Sequence, residues 1–399
     1  MSKQSVFFTA VAVLATFGGS AAGAMQLAVT PQADGTNVPV SAKIDLPADL
    51  ANVAPDQIAV TMKPASGPAT PGQVVQCPHC GTKLVWIVPT AKAGQAQTWT
   101  ATLAKGAAKG GFSFKDTAGK HLDLLLDGKP VTRYMYERDK SKERNFDTAK
   151  VFHHVFNADG SATLTKGTGG QYPHHRGIFL GYKVTYDGKK RGDWWHVRNV
   201  AQEHQKVLRT VTGPVLAAST MLIHWVDGSG TVVVAEERTT VVFRQPSPTL
   251  LLLEFRSQLT PVVSDVEFGG DPEHAGMQYR PRNEVNRKAT VYMFHKEEIT
   301  SANVKREVDL PWAAECYELE GKKYSVQHIN HPDNPKGTKY SAYRDYGRFG
   351  AYPKASAKKG EPLMLKYRVW VAPGEMPTRE ACQQRWQAFT TPPKVEVAK

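Results

Sequence analysis

The residues best suited to chemistry stand together in Tyr172-Pro173-His174-His175-Arg176-Gly177, followed shortly by Asp193-Trp194-Trp195-His196. Histidine is the side chain whose proton moves near neutral pH, and it is also the commonest metal ligand. Gly169 and Gly170 let the backbone turn just ahead of the histidine pair. Two adjacent histidines, an arginine and a tryptophan pair predict a concave polar site floored by aromatic rings, the kind of surface that holds a sugar.

Other segments carry similar side chains: Phe152-His153-His154-Val155-Phe156, Glu203-His204, and Asp271-Pro272-Glu273-His274-Ala275-Gly276 with Arg280 and Glu284 beyond it. Further on come His331-Pro332-Asp333-Asn334-Pro335 and Arg344-Asp345-Tyr346-Gly347-Arg348. Breaking a glycosidic bond by elimination requires a base for an activated C–H, an acid for the leaving oxygen and cations for the developing enolate. His174, His175 and His274 are the expected acid–base residues, Tyr346 the expected proton donor, and Arg176 and Arg344 the expected anion-binding residues. Trp194, Trp195, His196, Glu237, Arg280, His331 and Asp345 complete the expected substrate contacts.

Hydrolysis would instead want two carboxylates about 5–10 Å apart, and Glu237, Asp271 and Asp345 are available for it. The histidine- and arginine-rich character favours elimination or keto-sugar chemistry. Three or four of His154, His174, His175, His274 and His331 could bind a divalent ion that polarises a sugar oxygen. No His-Glu-x-x-His spacing is present, so the expected cofactor is either none or such an ion. The alternative class is a binding protein that holds a sugar or acidic polymer without turnover.

Several of these residues also have structural readings. On a strand only one member of an adjacent pair faces inward, so one each of His153/His154 and His174/His175 is expected to do chemistry and the other to be solvated, while of Trp194/Trp195 one is expected in the core and the other as a sugar platform. Within Glu236-Glu237-Arg238 a carboxylate could face the cleft or pair with Arg238, and Arg344 could pair with Asp345. His224, His295 and His328 sit among strand residues and are expected to be structural.

The elements that must position these groups are β-strands. Short apolar or alternating runs at 28–30, 38–44, 58–62 and 84–88 are separated by Pro, Gly and Asp. A run at 122–126 ends in an Asp127-Gly128 turn, and long strands are expected at 232–243, 250–259 and 363–371, with hairpin turns at Asn157-Ala158-Asp159-Gly160 and Tyr186-Asp187-Gly188. One helix is expected over 379–389, with Thr378 as its N-cap. The fold class is therefore all-β: a small β-sandwich-like module over 25–105, a glycine- and lysine-rich linker over 106–111, and a large antiparallel β-sandwich over 112–399. A mutarotase-like supersandwich is one form that the large domain could take.

Residues 1–24 read as a secretory signal peptide, with Lys3 at its start, an apolar stretch over 6–17 and a small-residue site at Ala22-Gly23-Ala24. That stretch is too short to span a bilayer, and the sequence offers no longer one, so the mature protein is expected to be exported, periplasmic or extracellular. The chain carries a net charge of +13, or +12 without Lys3. Such a balance favours anionic partners. For an exported protein these are acidic carbohydrate rather than nucleic acid, although basic residues spread along a chain also serve solubility. Of the four cysteines, Cys77-Pro78-His79-Cys80 has redox-pair spacing but precedes a strand, so a local disulfide or tight turn is expected; Cys316 and Cys382 could pair.

The segment Lys166-Gly167-Thr168-Gly169-Gly170-Gln171 leading into Tyr172-Pro173-His174-His175-Arg176-Gly177 resembles the signature of the so-called PmoA family. The motifs at 271–276, 331–335 and 344–350 resemble it too, and together they cover residues 112 to 373. The resemblance implies an exported bacterial protein found beside sugar oxidoreductases and glycoside-degrading enzymes, hence carbohydrate catabolism. The family name implies a membrane-embedded methane oxygenase subunit, a reading at odds with a mature chain that has no apolar span.

Overall fold

The computed structural model describes residues 24–77 and 81–398. The expected signal segment up to residue 23 and most of the Cys77-Pro78-His79-Cys80 motif lie outside them. Among the described residues no helix is long and apolar enough to cross a membrane.

Two eight-stranded antiparallel sheets lie face to face and bury one shared core, the large sandwich expected from the sequence. The first runs Lys339–Ser341, Phe349–Tyr352, Gly276–Tyr279, Ile178–Gly181, Phe152–Val155, Lys129–Met135, His121–Leu126, Phe112–Thr117 in spatial order. The second contains the long strands, among them Leu216–Val226, Val232–Phe243, Leu251–Pro261 and Leu363–Pro373. Period-2 alternation sets which side chains meet. Ile178, Leu180, Met277 and Tyr279 face Ile223, Val234, Phe255 and Val369 across the core. Phe152 and Phe179 point the other way, toward Trp195. That outer face of the first sheet carries the candidate site.

The turns follow local chemistry. Asp187 and Gly188 take φ values of 47° and 69°, as a tight hairpin turn demands. The helix Arg379–Thr390 starts where Thr378 Oγ1 accepts from the Ala381 N–H at 3.1 Å.

The N-terminal module is a seven-stranded sheet whose seventh strand, Lys394–Val397, comes from the far end of the chain and pairs with Met25–Thr30. The division at residue 112 therefore does not hold for the last strand. Residues 106–111 do not act as a free tether either. Gly111 N–H donates to Asp127 Oδ1 at 2.7 Å, and Phe112 N–H donates to the Gly213 carbonyl at 2.9 Å. The module packs on the outer face of the second sheet, where Val85 meets Val215, Leu216, Phe243 and Leu252. Gln73 reaches across this seam: its Oε1 accepts from the N–H groups of Val215 (3.1 Å) and Leu216 (2.9 Å). Cys77 is disulfide-bonded, whereas Cys316 and Cys382 are buried free thiols, contrary to the pairing entertained for them.

Two predictions follow from this packing. Gln73→Ala leaves two buried N–H groups without an acceptor and should cost about 1–3 kcal/mol in denaturant unfolding. Burial also holds the imidazoles of His153 and His328 down to about 3 and of His154 to about 4, from an ordinary 6.5. These rings are neutral in the fold, while the unfolded chain takes up protons below about pH 6.5. Their contribution is thus complete above that value and is lost as pH falls toward the folded values. The urea midpoint should drop between about pH 7 and pH 5; a flat midpoint would contradict the burial of these rings.

Candidate functional site

A pocket of about 460 Å³ opens on the outer face of the first sheet. Its floor is apolar: the Phe152, Phe179 and Trp195 rings pack together and are almost wholly buried. Arg348, 1 % exposed, lies over the Trp195 ring at 5.7 Å and donates from Nη1 to Gln278 Oε1 at 3.0 Å.

The loop over 166–177 forms one wall. Gly169, Gly170 and Tyr172 take φ values of 74°, 63° and 52°, which folds the chain back on itself. Gly177 has a φ of 51°, and a side chain there would strike the His153 carbonyl, so only glycine fits. Lys166 Nζ donates to the carbonyls of Gly167 (3.0 Å), Gly169 (2.6 Å) and His175 (3.2 Å), gathering the loop around a cation. Arg176 does the same outward, to the carbonyls of Pro173 (3.0 Å), Asp147 (3.0 Å) and Phe146 (2.8 Å). Lys150 sits beneath, 2 % exposed, and donates to the carbonyls of His174 (3.1 Å) and Trp195. Burial, and then the Arg176 charge, push its amine well below the usual lysine range.

The two facing walls repeat one local device. In Asp193-Trp194-Trp195-His196 the aspartate accepts from the His196 N–H at 2.9 Å and from His196 Nδ1 at 2.7 Å. In Asp271-Pro272-Glu273-His274 the aspartate accepts from the Glu273 N–H at 2.9 Å and from His274 Nδ1 at 2.9 Å. Each carboxylate holds the turn and the ring together. With the Nδ1 proton directed at a carboxylate, a neutral ring carries its lone pair on Nε2. Burial pushes the Asp193 carboxyl up, but the hydrogen bonds from His196 outweigh it and bring the group down to about 2.

Four histidine rings form a row along the pocket. Centroids are 4.2 Å apart for His175 and His174, 4.5 Å for His174 and His196, and 5.2 Å for His196 and His274. Tyr346 continues the row, its ring stacked 6.3 Å from His175 and tilted against Tyr172 at 5.0 Å. Burial, then Lys150 and the neighbouring histidines, push His174 down to about 2; burial and Arg348 hold His175 well below the imidazole range. Arg344 pairs with Glu273, not with Asp345, and Glu273 also accepts from Tyr343 Oη at 2.7 Å and Lys305 Nζ at 3.2 Å. Burial raises the Glu273 carboxyl, but Tyr343, Lys305 and Arg344 hold it below its ordinary value.

The structure thus brings His174, His175, His196, His274, Arg344 and Tyr346 to one pocket. Other expected contacts lie elsewhere. Trp194 is core, donating from Nε1 to the Ala201 carbonyl at 3.0 Å, and Trp195 is floor beneath the histidines rather than an open sugar platform. Arg176 and Arg280 are fully buried and serve loop carbonyls; Arg280 bonds the Tyr346 carbonyl and lies 4.7 Å beneath its ring. Glu237 is exposed on the second sheet, because its inward neighbour Glu236 takes the bidentate ion pair with Arg238. Asp345 faces Arg287 at 3.7 Å outside the pocket. His331 meets Phe389 edge-on at 5.0 Å, away from the pocket, and its motif is a corner in which Asn334 bonds Asn330 and Lys366. His154 bonds Thr165 on the strand side of the loop, so the five histidines considered for a metal do not converge. Among the described residues no group of three or more His, Cys, Asp or Glu is arranged to hold a metal ion.

Sequence reasoning missed Lys150, a lone lysine ahead of an apolar strand with no local signal. The repeated Asp-x-x-His spacing at 193–196 and 271–274 was a signal that could have singled out His196 as an equal of His274 and both aspartates as their partners. Lys150→Met should remove the donor of two buried carbonyls at a cost of about 1–3 kcal/mol. Hydrogen exchange should rise first in residues 172–177 and 193–198; unchanged exchange there would show that the loops hold without the lysine.

No curated protein matches the chain. A family model does, the family of unknown function DUF6807, over residues 121–387, a span that takes in every pocket-lining residue and both sheets except the edge strand Phe112–Thr117. The chain belongs to that family.

Proposed function

We propose that this pocket is the active site of an exported carbohydrate-active enzyme that breaks a glycosidic bond by elimination, on an acidic or keto sugar. The observation that carries the reading is the pair of Asp–His turns whose rings, 5.2 Å apart, line one pocket with Tyr346 and the arginines Arg198, Arg344 and Arg348. The resemblance to the PmoA family and its sugar-processing neighbourhood agrees with it.

In this reading His274, oriented by Asp271, takes the proton of an acidic C–H at its Nε2. The electron pair forms a C=C bond, the C–O bond to the leaving sugar breaks, and the leaving oxygen takes a proton from Tyr346. After product leaves, His274 gives its proton to solvent and Tyr346 takes one back from solvent; His196, oriented by Asp193, is the second proton carrier beside His274. Arg344 and Arg348 stabilise the enolate that develops. His174 and His175 stay neutral and hold substrate hydroxyls instead of carrying protons. Hydrolysis by two carboxylates fits the pocket less well, since Glu273 is the one carboxylate among its described lining residues and it is already paired. A binding protein would need the aromatic floor and the arginines, but not two oriented histidines.

The test is turnover on uronic-acid and keto glycosides, followed as ultraviolet absorbance of a conjugated double bond. His274→Gln and His196→Gln should each lose on the order of 10²–10⁴ in kcat with an unchanged melting temperature. New reducing ends without absorbance would mean hydrolysis, and tight binding without turnover would mean a binding protein.

A further inference from the structure

The fold treats its buried arginines in two ways. Away from the pocket they sit on glutamates: Arg238 on Glu236 at 2.8 and 2.9 Å, and Arg368 on Glu254 at 2.6 Å. Around the pocket they do not. Lys150, Lys166, Arg176, Arg280 and Arg348 are each no more than 2 % exposed. Their hydrogen-bond acceptors are backbone carbonyls or the side-chain amides of Gln278 and Asn283. A neutral acceptor satisfies the donor but leaves the charge uncompensated, and an uncompensated buried charge is costly.

The acids nearby offset this charge only in part: Asp147 attracts Arg176 and Lys166 through space, and Asp193 attracts Lys150. Asp193 and Asp271 are committed to His196 and His274, and Glu273 to Arg344 and Lys305. Glu315, buried behind Arg280, is pushed well above the carboxylate range by burial and so favours the neutral form. Polar atoms at the same place lack partners among the described residues: both ring nitrogens of His175 and the Nε atoms of Arg344 and Arg348. All three residues line the pocket, and His175 is 3 % exposed.

We infer that the pocket contains an anion subsite, formed by Arg348, Arg344 and His175, that takes a carboxylate carried on the sugar. This rests on the carbohydrate reading above and narrows it to acidic sugars. The bound carboxylate supplies the counter-charge that the protein withholds, and it also acidifies the adjacent C–H that elimination requires. Arg344 turns from Glu273 toward the ligand with its unpartnered Nε, while Arg348 stays fixed over Trp195.

The experiment compares a panel of uronic-acid trisaccharides with their methyl esters, which keep the sugar and lose the charge, alongside inorganic sulfate at matched ionic strength. Binding is read by calorimetry on the wild-type protein and on Arg344→Met and Arg348→Gln. At least one acid should bind about tenfold or more tighter than its ester, and both variants should erase that difference. Esters that bind as tightly as the acids would overturn the anion subsite and leave the sugar reading standing. Sulfate binding that depends on Arg344, with no trisaccharide bound, would support the subsite and sink the sugar reading. A preference for acids that survives both substitutions, or no binding by any probe, would overturn the inference.

Discussion

Buried cations bonded to backbone carbonyls are what the site depends on. The segments that carry its histidines are loops, and loops have carbonyls that no strand partner satisfies. Lys166 gathers three of them inside 166–177, Arg176 ties that loop to 146–147, and Lys150 joins His174 to Trp195. Three side chains thus do for irregular backbone what a hydrogen-bonded ladder does for a strand. Without them the histidine row would have no fixed spacing, since only the floor rings stand on or against regular sheet.

The sandwich supplies the floor and the constraint on where the walls can rise. One face of the first sheet is committed to the core through Ile178, Leu180, Met277 and Tyr279, so Phe152, Phe179 and Gln278 must look outward. An aromatic floor exposed to water would be a liability; covered by the 166–177 loop and the 193–196 turn, it becomes a dry base for polar groups. The N-terminal module sits on the opposite sheet and closes its own edge with the chain's last strand, Lys394–Val397. It therefore ties Met25–Thr30 to Lys394–Val397 without lining the pocket.

Much of this was legible in sequence, and the rest fails for identifiable reasons. Strand alternation and turn chemistry suffice for an all-β sandwich, and the Thr378 cap marks the helix. The clustering of histidine, arginine and tyrosine in 172–177, 271–276 and 344–348 locates the pocket. What composition cannot show is direction. Arg176 in a histidine-rich loop reads the same whether it faces a ligand or caps the Pro173 carbonyl. Glu237 and Glu236 differ only by one position, yet the buried pair with Arg238, completed by Trp225 Nε1 at 2.8 Å and Ser257 Oγ at 2.8 Å, belongs to Glu236. His331 sits in a motif as dense as the others, but there Asn334 folds the corner. Lys150 shows the opposite failure, a residue central to the site whose neighbours in sequence say nothing of it.

The choice of carbonyls over carboxylates as partners also bears on chemistry. A glutamate beside Arg348 would fix it equally well, but the pair would present no net field to the pocket. A carbonyl or amide oxygen satisfies the same N–H geometry and leaves the positive potential in place. That potential, added to burial, holds His174 and His175 toward the neutral form, so the row runs from two such rings at one end to two rings that aspartates orient at the other. Neighbouring histidines of one residue type are thereby given different surroundings by what stands behind them: cations and apolar floor behind the first pair, Asp193 and Asp271 behind the second.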